Sequence, residues 1–324
     1  MHTRWFKTLK VIMSKTLIAI LNWNNAPDTI LCIKSVIGLE DVHIAVIDNN
    51  STDKSLPEIR NYLEETGGYS ECNLSELIGF SDPPYKVSVI RSSVNSGFAG
   101  GNNAILRAAM SSSDIEYVWL LNNDAVAAPG ALAAMLEVMS ARKSAAFAGS
   151  VILDGTRREL IQCCGVKYYR WLAISKLIFK NKIWNEQNKN AIPYSDIDFQ
   201  NGASLLVRVS ALKDIGLMDE RFFLYYEEQD WQYTAKEKGY DNVLAADSIV
   251  YHKGSVSTNT RKHLFFYYYN KSAVIFARKH NPFIVVFIST FMQIGIMLIR
   301  TQLYLKSVYW GFKGIFEGWF KALK

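Results

Sequence analysis

Glu227, Glu228 and Asp230 fall within four positions of FFLYYEEQDW, directly behind a run of large apolar and aromatic residues. Like charges this close repel, and a carboxylate against aromatic surface loses hydration, so the arrangement is unfavourable unless a cation or a reaction uses it. A carboxylate in such surroundings has a raised pKa, which suits it to accept a proton from a hydroxyl group. The alternative is a helix start, where acids are favoured by the macrodipole, and EEQDWQYTAKEKG does read as a helix ending at Gly239.

Three other stretches carry residues suited to binding an anionic ligand. LLNNDAVAAPG sets Asp124 just after an apolar run, with Asn122 and Asn123 beside it. One carboxylate among amides can hold Mg²⁺ or Mn²⁺ while a substrate diphosphate supplies further oxygens. A helix N-cap before Pro129 is the competing use. His252 in VYHKGS can complete such a site with a neutral imidazole, or be a surface histidine. SVNSGFAGGNNA puts Gly97, Gly100 and Gly101 in a loop leading into a helix, flanked by Asn95 and Asn102. That resembles a phosphate cradle, although it lacks both the dinucleotide G-x-G-x-x-G pattern and the Walker lysine; a turn needing positive φ is the alternative. Asp48 in VIDNNSTDKS opens a turn of short polar side chains suited to a base edge or ribose hydroxyls.

Positioning these groups together requires a particular kind of scaffold. From Lys15 the chain reads strand (TLIAILNWN), helix (DTILCIKSVIGL) and strand (HIAVIDNNSTD), the opening of a parallel α/β sheet. A polar insertion from Glu64 to Tyr85 precedes the strand KVSVIRS, and a helix beginning near Gly101 precedes EYVWLLNND. In open α/β sheets ligands bind beyond the carboxyl ends of the strands, so Asn22, Asp48, Asn95 and Asp124 are expected along one edge. GALAAMLEVMSAR reads as a helix and AAFAGSVILD as a strand; QNGASLLVRVSALKDIG reads as strand and helix, and NVLAADSIVYHKG as a short last strand. Residues 154–195 give no clear pattern.

The 324 residues are 49% hydrophobic and 13% aromatic, which describes a folded chain with unusual aromatic surface. The net charge of +6 is not gathered into a block, so a nucleic-acid partner is excluded and an anionic membrane or phosphorylated substrate is favoured. The four cysteines have neither disulfide-framework nor zinc spacing and suit a reducing cytoplasm. Residues 1–14 form a basic amphipathic tail without signal-peptide features. After His263 an aromatic helix is broken at Asn281-Pro282, and Phe283–Ile299 carries no charge. The segment 263–324 is expected to hold the protein on the cytoplasmic face of the cell membrane, spanning or lying on it, or to form an oligomer interface.

In order and spacing, VIDNNSTD, NSGFAGGNN, LLNNDAVAAPG, GASLLVRVSALKDIGLMDERFFLYYEEQDW and VYHKGS together resemble the inverting glycosyltransferases of family 2, particularly their bacterial rhamnosyltransferase-like branch, over about residues 15–260. The resemblance implies a GT-A fold for residues 15–262: one Rossmann-like, mixed but mostly parallel sheet flanked by helices, with a nucleotide-sugar half (15–125) and an acceptor half (126–262). It implies a dTDP- or UDP-sugar donor, with rhamnose or a similar hexose, a divalent metal (Mg²⁺ or Mn²⁺), and a glycan or lipid-linked glycan acceptor in cell-surface polysaccharide synthesis. By this resemblance Asp48 contacts the base, Asp124 stands for the metal-binding acid of D-x-D, His252 for a metal-ligating histidine, and Glu227-Glu228 for the catalytic acidic pair. Asn22, Asn95, Gly97, Gly101, Asn102 and Asn123 complete the expected donor site. NND leaves a single carboxylate where D-x-D has two. Glu228 is the expected base, with Glu227 and Asp230 orienting the acceptor or the loop. A sugar nucleotidyltransferase is disfavoured because LNWNNAPDT lacks glycine and basic residues; a non-catalytic nucleotide-sugar-binding scaffold is disfavoured by the presence of Glu228, Asp124 and His252 together.

Overall fold

The computed structural model describes residues 15–80, 85–172, 174–254 and 262–320. The basic tail expected at 1–14 lies outside the described residues. The first half of the chain alternates β1 (Lys15–Asn22), α1 (Ala26–Val36), β2 (Val42–Asp48), α2 (Ser55–Glu65), β3 (Ser70–Asn73), β4 (Val87–Arg91), α3 (Gly97–Met110) and β5 (Ile115–Asn122). β3, β4, β2, β1 and β5 lie side by side, all parallel. Strands buried on both faces read as continuous apolar runs. In β1, Ile18 and Ile20 enter the core beneath α1 and α2, while Leu17 and Ala19 enter the core beneath α3.

The second half adds β6 (Ala125–Ala127), α4 (Ala131–Ala141), β7 (Ala145–Asp154), β8 (Ile161–Cys163), β9 (Val166–Tyr169), β10 (Ile174–Leu177), α5 (Glu186–Asn190), β11 (Ser204–Arg208), α6 (Val209–Ile215), α7 (Glu227–Glu237) and β12 (Asp241–His252). β11 runs antiparallel between β5 and β7, β12 is parallel to β7, and β6 closes the edge antiparallel to β12. The result is one mixed, mostly parallel sheet, as the family resemblance implies. α3 starts at Gly97, earlier than the sequence suggests. The stretch 154–195 contains β8, the antiparallel β9–β10 hairpin and α5.

Three helices follow: α8 (Lys262–His280), α9 (Phe283–Thr301) and α10 (Leu305–Phe320). α8 is continuous with the sheet's core, burying Ala273, Ile275 and Phe276, with the Phe276 ring against Tyr168, Phe199, Tyr226 and Tyr233. Its other side receives α10 through a glycine face: a Cβ on Gly314 would sit 2.2 Å from the Tyr267 carbonyl oxygen, and one on Gly318 would sit 2.8 Å from that of Lys271. α9 covers α8 only in part. Phe283, Ile284, Phe287, Ile288 and Phe291 stay exposed, and α9 is the one helix among the described residues long and apolar enough to cross a membrane.

Candidate active site

Parallel strands deliver their carboxyl ends to one edge of the sheet, and β5 and β12 bring Asp124 and His252 there. His252 Nε2 lies 3.1 Å from Asp124 Oδ1 and 3.4 Å from the Asn122 amide nitrogen. Gln162 on β8 fixes this ring. Its Nε2 donates to the His252 carbonyl oxygen, which turns its Oε1 toward His252 Nδ1 at 3.1 Å. An amide oxygen can only accept, so Nδ1 carries a proton; Nε2 faces the Asp124 carboxylate, donating to it when it too is protonated and offering a lone pair to a cation when it is not. Burial raises the Asp124 pKa, but the His252 hydrogen bond and charge outweigh it and hold the group below the usual carboxylate range. A carboxylate oxygen and an imidazole nitrogen this close could together ligate one cation. Among the described residues no three His, Cys, Asp or Glu side chains cluster as a metal site. The chain thus offers a two-ligand set, which fits a Mg²⁺- or Mn²⁺-type ion that takes its other ligands from diphosphate and water.

Across a cleft of about 320 Å³ stands the start of α7, with Glu227 and Glu228 both in the wall, alongside Asn123, Asp124 and His252. Glu227 is buried and Glu228 half-buried. Each leaves its Oε2 buried without a hydrogen-bond partner. Burial, and then the negative charge of Glu228, push the Glu227 pKa well up; burial also raises Glu228, opposed by backbone N–H groups at the helix start. Space for Glu228 comes from Gly202, where a Cβ would meet its Cγ at 3.0 Å. Asn201, Gly202, Trp23, Asn25 and Tyr225 also line the cleft. None was singled out from the sequence; GASLL was legible only as strand.

Other expected site residues sit elsewhere. Asp230 does not line the cleft. It lies on another side of α7, buried, with Oδ1 2.7 Å from His280 Nε2 and Oδ2 2.7 Å from Lys279 Nζ. Its carboxylate is therefore consumed in tying α7 to α8. The phosphate cradle is also absent from the 95–102 loop, because protein acceptors already take its N–H groups. Ser96 N donates to Asn49 Oδ1, Gly97 N to Asn95 Oδ1, and Phe98 N to the Phe223 carbonyl. Gly97 (φ 72) is glycine because a Cβ would lie 2.2 Å from that same Phe223 oxygen, and Gly101 because one would strike Leu21 at 2.6 Å. Asn102 is buried and donates to the Phe98 carbonyl. These residues seat the 223–226 loop instead. Asn22 and Asp48, joined at 2.9 Å, form a buried pair at the ends of β1 and β2 next to the cleft, with Ser51 N held by Asp48.

A family model for glycosyl transferase family 2 matches residues 17–216. Solved structures of similar fold include GalNAc-T7 with UDP, GalNAc and Mn²⁺ (TM-score 0.57, 15% identity, covering 82% of this chain and 48% of that one). They also include the mannosyltransferase PcManGT from Pyrobaculum calidifontis with GDP-Man and Mn²⁺ (TM-score 0.55, 12% identity, 95% and 87% covered). A third is S. aureus TarS 1-349 (TM-score 0.52, 11% identity, 94% and 80% covered). This chain spans about half the length of the GalNAc-T7 chain. A search of curated protein sequences gave no match. At these identities the structural likeness speaks for the fold, and the match over residues 17–216, which runs through the strand ending at Asp48 and the turn after β5 that carries Asp124, makes the chain a member of glycosyl transferase family 2.

Proposed function

We propose that the protein moves a hexosyl group, rhamnose or a similar sugar, from a dTDP- or UDP-linked donor to a hydroxyl of a glycan or lipid-linked glycan, with inversion. The carrying observation is the cleft itself: two carboxylates with raised pKa and unpaired oxygens on α7 face the Asp124–His252 pair across it. Glu228, the more open of the two, takes the proton from the acceptor hydroxyl as that oxygen attacks the anomeric carbon from the face opposite the diphosphate. Glu227, deeper and with the more strongly raised pKa, stays protonated longer and orients the acceptor. Asp124 and His252 would hold a divalent ion, which when bound neutralises charge on the leaving diphosphate. Asn123 borders the same region, while Asn22 and Asp48 support the nucleoside side. The body from 15 to 262 is read as catalytic and the helices beyond it as the attachment to the cytoplasmic face of a membrane. A thermal-shift panel of nucleotide-diphosphate sugars with and without Mn²⁺ tests the reading. A cognate donor at ~100 times its Kd should stabilise by about 2.7 kcal/mol, and only with metal; a flat panel would sink it.

A further inference from the structure

Asn123 sits in the cleft wall beside Asp124, and a relay of buried polar groups outside the cleft dictates which way its amide faces. The relay starts at the Asp48 carboxylate, which can only accept, so Asn22 must turn its Nδ2 toward it, 2.9 Å from Oδ1. That leaves Asn22 Oδ1 facing the Thr29 hydroxyl at 2.8 Å. A second acceptor, the Asn25 carbonyl oxygen, lies 2.8 Å from the same hydroxyl. Thr29 has one hydroxyl proton and two acceptors competing for it, so it can offer Asn123 only a lone pair, and Asn123 Nδ2 donates to it at 3.0 Å. With the nitrogen committed, Oδ1 is the atom of Asn123 left to face the cleft. Asn22, Asp48 and Thr29 are all buried, and none of the three lines the cleft. The backbone of the turn is held separately from α1: Cys32 Sγ donates to the Asn122 carbonyl at 3.4 Å, and Ser35 Oγ accepts from Ala127 N at 3.1 Å.

We propose that Thr29 is a positioning residue that locks the Asn123 amide with its carbonyl toward the donor, so that Asn123 accepts a hydrogen bond from a ribose hydroxyl of the nucleotide and does not donate to its diphosphate. This rests on the transferase reading of the cleft and deepens it. The ligand class follows from polarity and place. An amide nitrogen turned into the cleft would suit phosphate oxygens, whereas an oxygen repels them and takes O–H donors. The relay ties Asn123 to the Asn22–Asp48 pair on the nucleoside side, while the next residue, Asp124, faces His252 on the metal side. In a nucleoside diphosphate the ribose lies between base and phosphates, which is the stretch Asn123 borders. The relay holds one polarity because reversing any amide in it would set two acceptors or two donors against each other in a buried site.

The test uses the full chain in mild detergent with saturating Mn²⁺ and titrates UDP and dTDP, each against its 2′,3′-dideoxy counterpart, by calorimetry. The wild type should bind the dideoxy form about tenfold more weakly than the parent. Thr29→Val keeps the side chain's shape but removes the hydroxyl; it should bind the parent nucleotide about tenfold more weakly and no longer distinguish the two forms. Thr29→Ser should restore both affinity and discrimination. Asn123→Ala changes a half-buried residue at the cleft wall, so it folds if Thr29→Val does not, and it should lose the discrimination in the same way. Mn²⁺ affinity measured without nucleotide should be unchanged in all three variants. A hydroxyl with a merely structural role would lower Tm and weaken both forms alike, leaving their ratio as in the wild type. Equal binding of the two forms by the wild type, a ratio retained in Thr29→Val or Asn123→Ala, or Mn²⁺ binding lost together with nucleotide in Asn123→Ala, which would make the oxygen a cation ligand, would overturn the proposal. A failure of the transferase reading appears separately, as absence of any nucleotide binding by the wild type; binding without discrimination overturns this proposal alone.

Discussion

A carboxylate that accepts a proton must first lose its own, and burial of Glu228 raises the pH at which that happens. The acid limb of the kcat profile is therefore expected above the range of a free glutamate, about 4.3. The same burial acts on stability. The folded-state pKa of Glu227 exceeds its unfolded value, so the native state binds more protons between the two, and its stability falls as pH rises through that window. Glu227→Gln removes this term; its Tm relative to wild type should climb as pH is raised from 4 toward 8, and a difference that stayed flat or shrank would contradict the burial argument. At the other wall, Asp124→Asn should weaken Mn²⁺ and donor together in calorimetry while leaving the fold intact, because the group sits at a strand end. Gln162→Leu should weaken Mn²⁺ by about tenfold or more through loss of the His252 orientation. Glu228, Asp124 and His252 were legible because they follow apolar runs that announce strand and helix ends. Gln162 was not, lying in a stretch without period. Gly97 and Gly101 were misread because a glycine needed for close backbone approach and a glycine cradling phosphate leave the same signature in sequence.

At the scale of elements, α7 is held at both faces: its first residues border the cleft, and Asp230 pins it to the last turn of α8 through His280 and Lys279. Lys279 also bridges to Asp219, whose pKa burial would raise but Arg221 and Lys279 hold down at about 2. Removing one member of a buried ion pair strands the other. Asp230→Asn is expected to destabilise by about 3 kcal/mol, a Tm loss of roughly 6–12 °C in thermal unfolding, and to leave kcat largely intact below that temperature. Spacing within EEQDW could not reveal this, because the partner of Asp230 lies fifty residues on. The α8–α10 contact makes a comparable demand. Gly311, Gly314 and Gly318 repeat at helical spacing, a signal present in the sequence but masked by the surrounding aromatics. Gly314→Ala should cost about 1–3 kcal/mol by overpacking against Tyr267, measured in the same unfolding experiment.

For the whole molecule, the sheet and its edge of functional residues were readable from alternating apolar runs, whereas the placement of the C-terminal helices was not. α8 completes the core, so cutting the chain at 262 would remove Phe276 and uncover Tyr168, Phe199, Tyr226 and Tyr233, against which its ring packs. α9 instead presents an exposed face of Phe283, Phe287 and Phe291. Phe287→Glu with Phe291→Glu should reduce co-sedimentation with anionic vesicles without lowering Tm; retention of full vesicle binding would move the attachment elsewhere. The central claim joins both halves of the molecule, since it places the base on α7 against a donor held at the strand ends. Its most direct test is the rate of donor hydrolysis with Mn²⁺ at saturating nucleotide-diphosphate sugar, water standing in for the acceptor, in wild type, Glu228→Gln and Asp230→Asn well below their Tm values. The expected result is a loss of about 10²- to 10⁴-fold in kcat for Glu228→Gln with donor affinity retained, and near wild-type kcat for Asp230→Asn. The contradicting result is the reverse: Asp230→Asn losing most of the rate while Glu228→Gln keeps it.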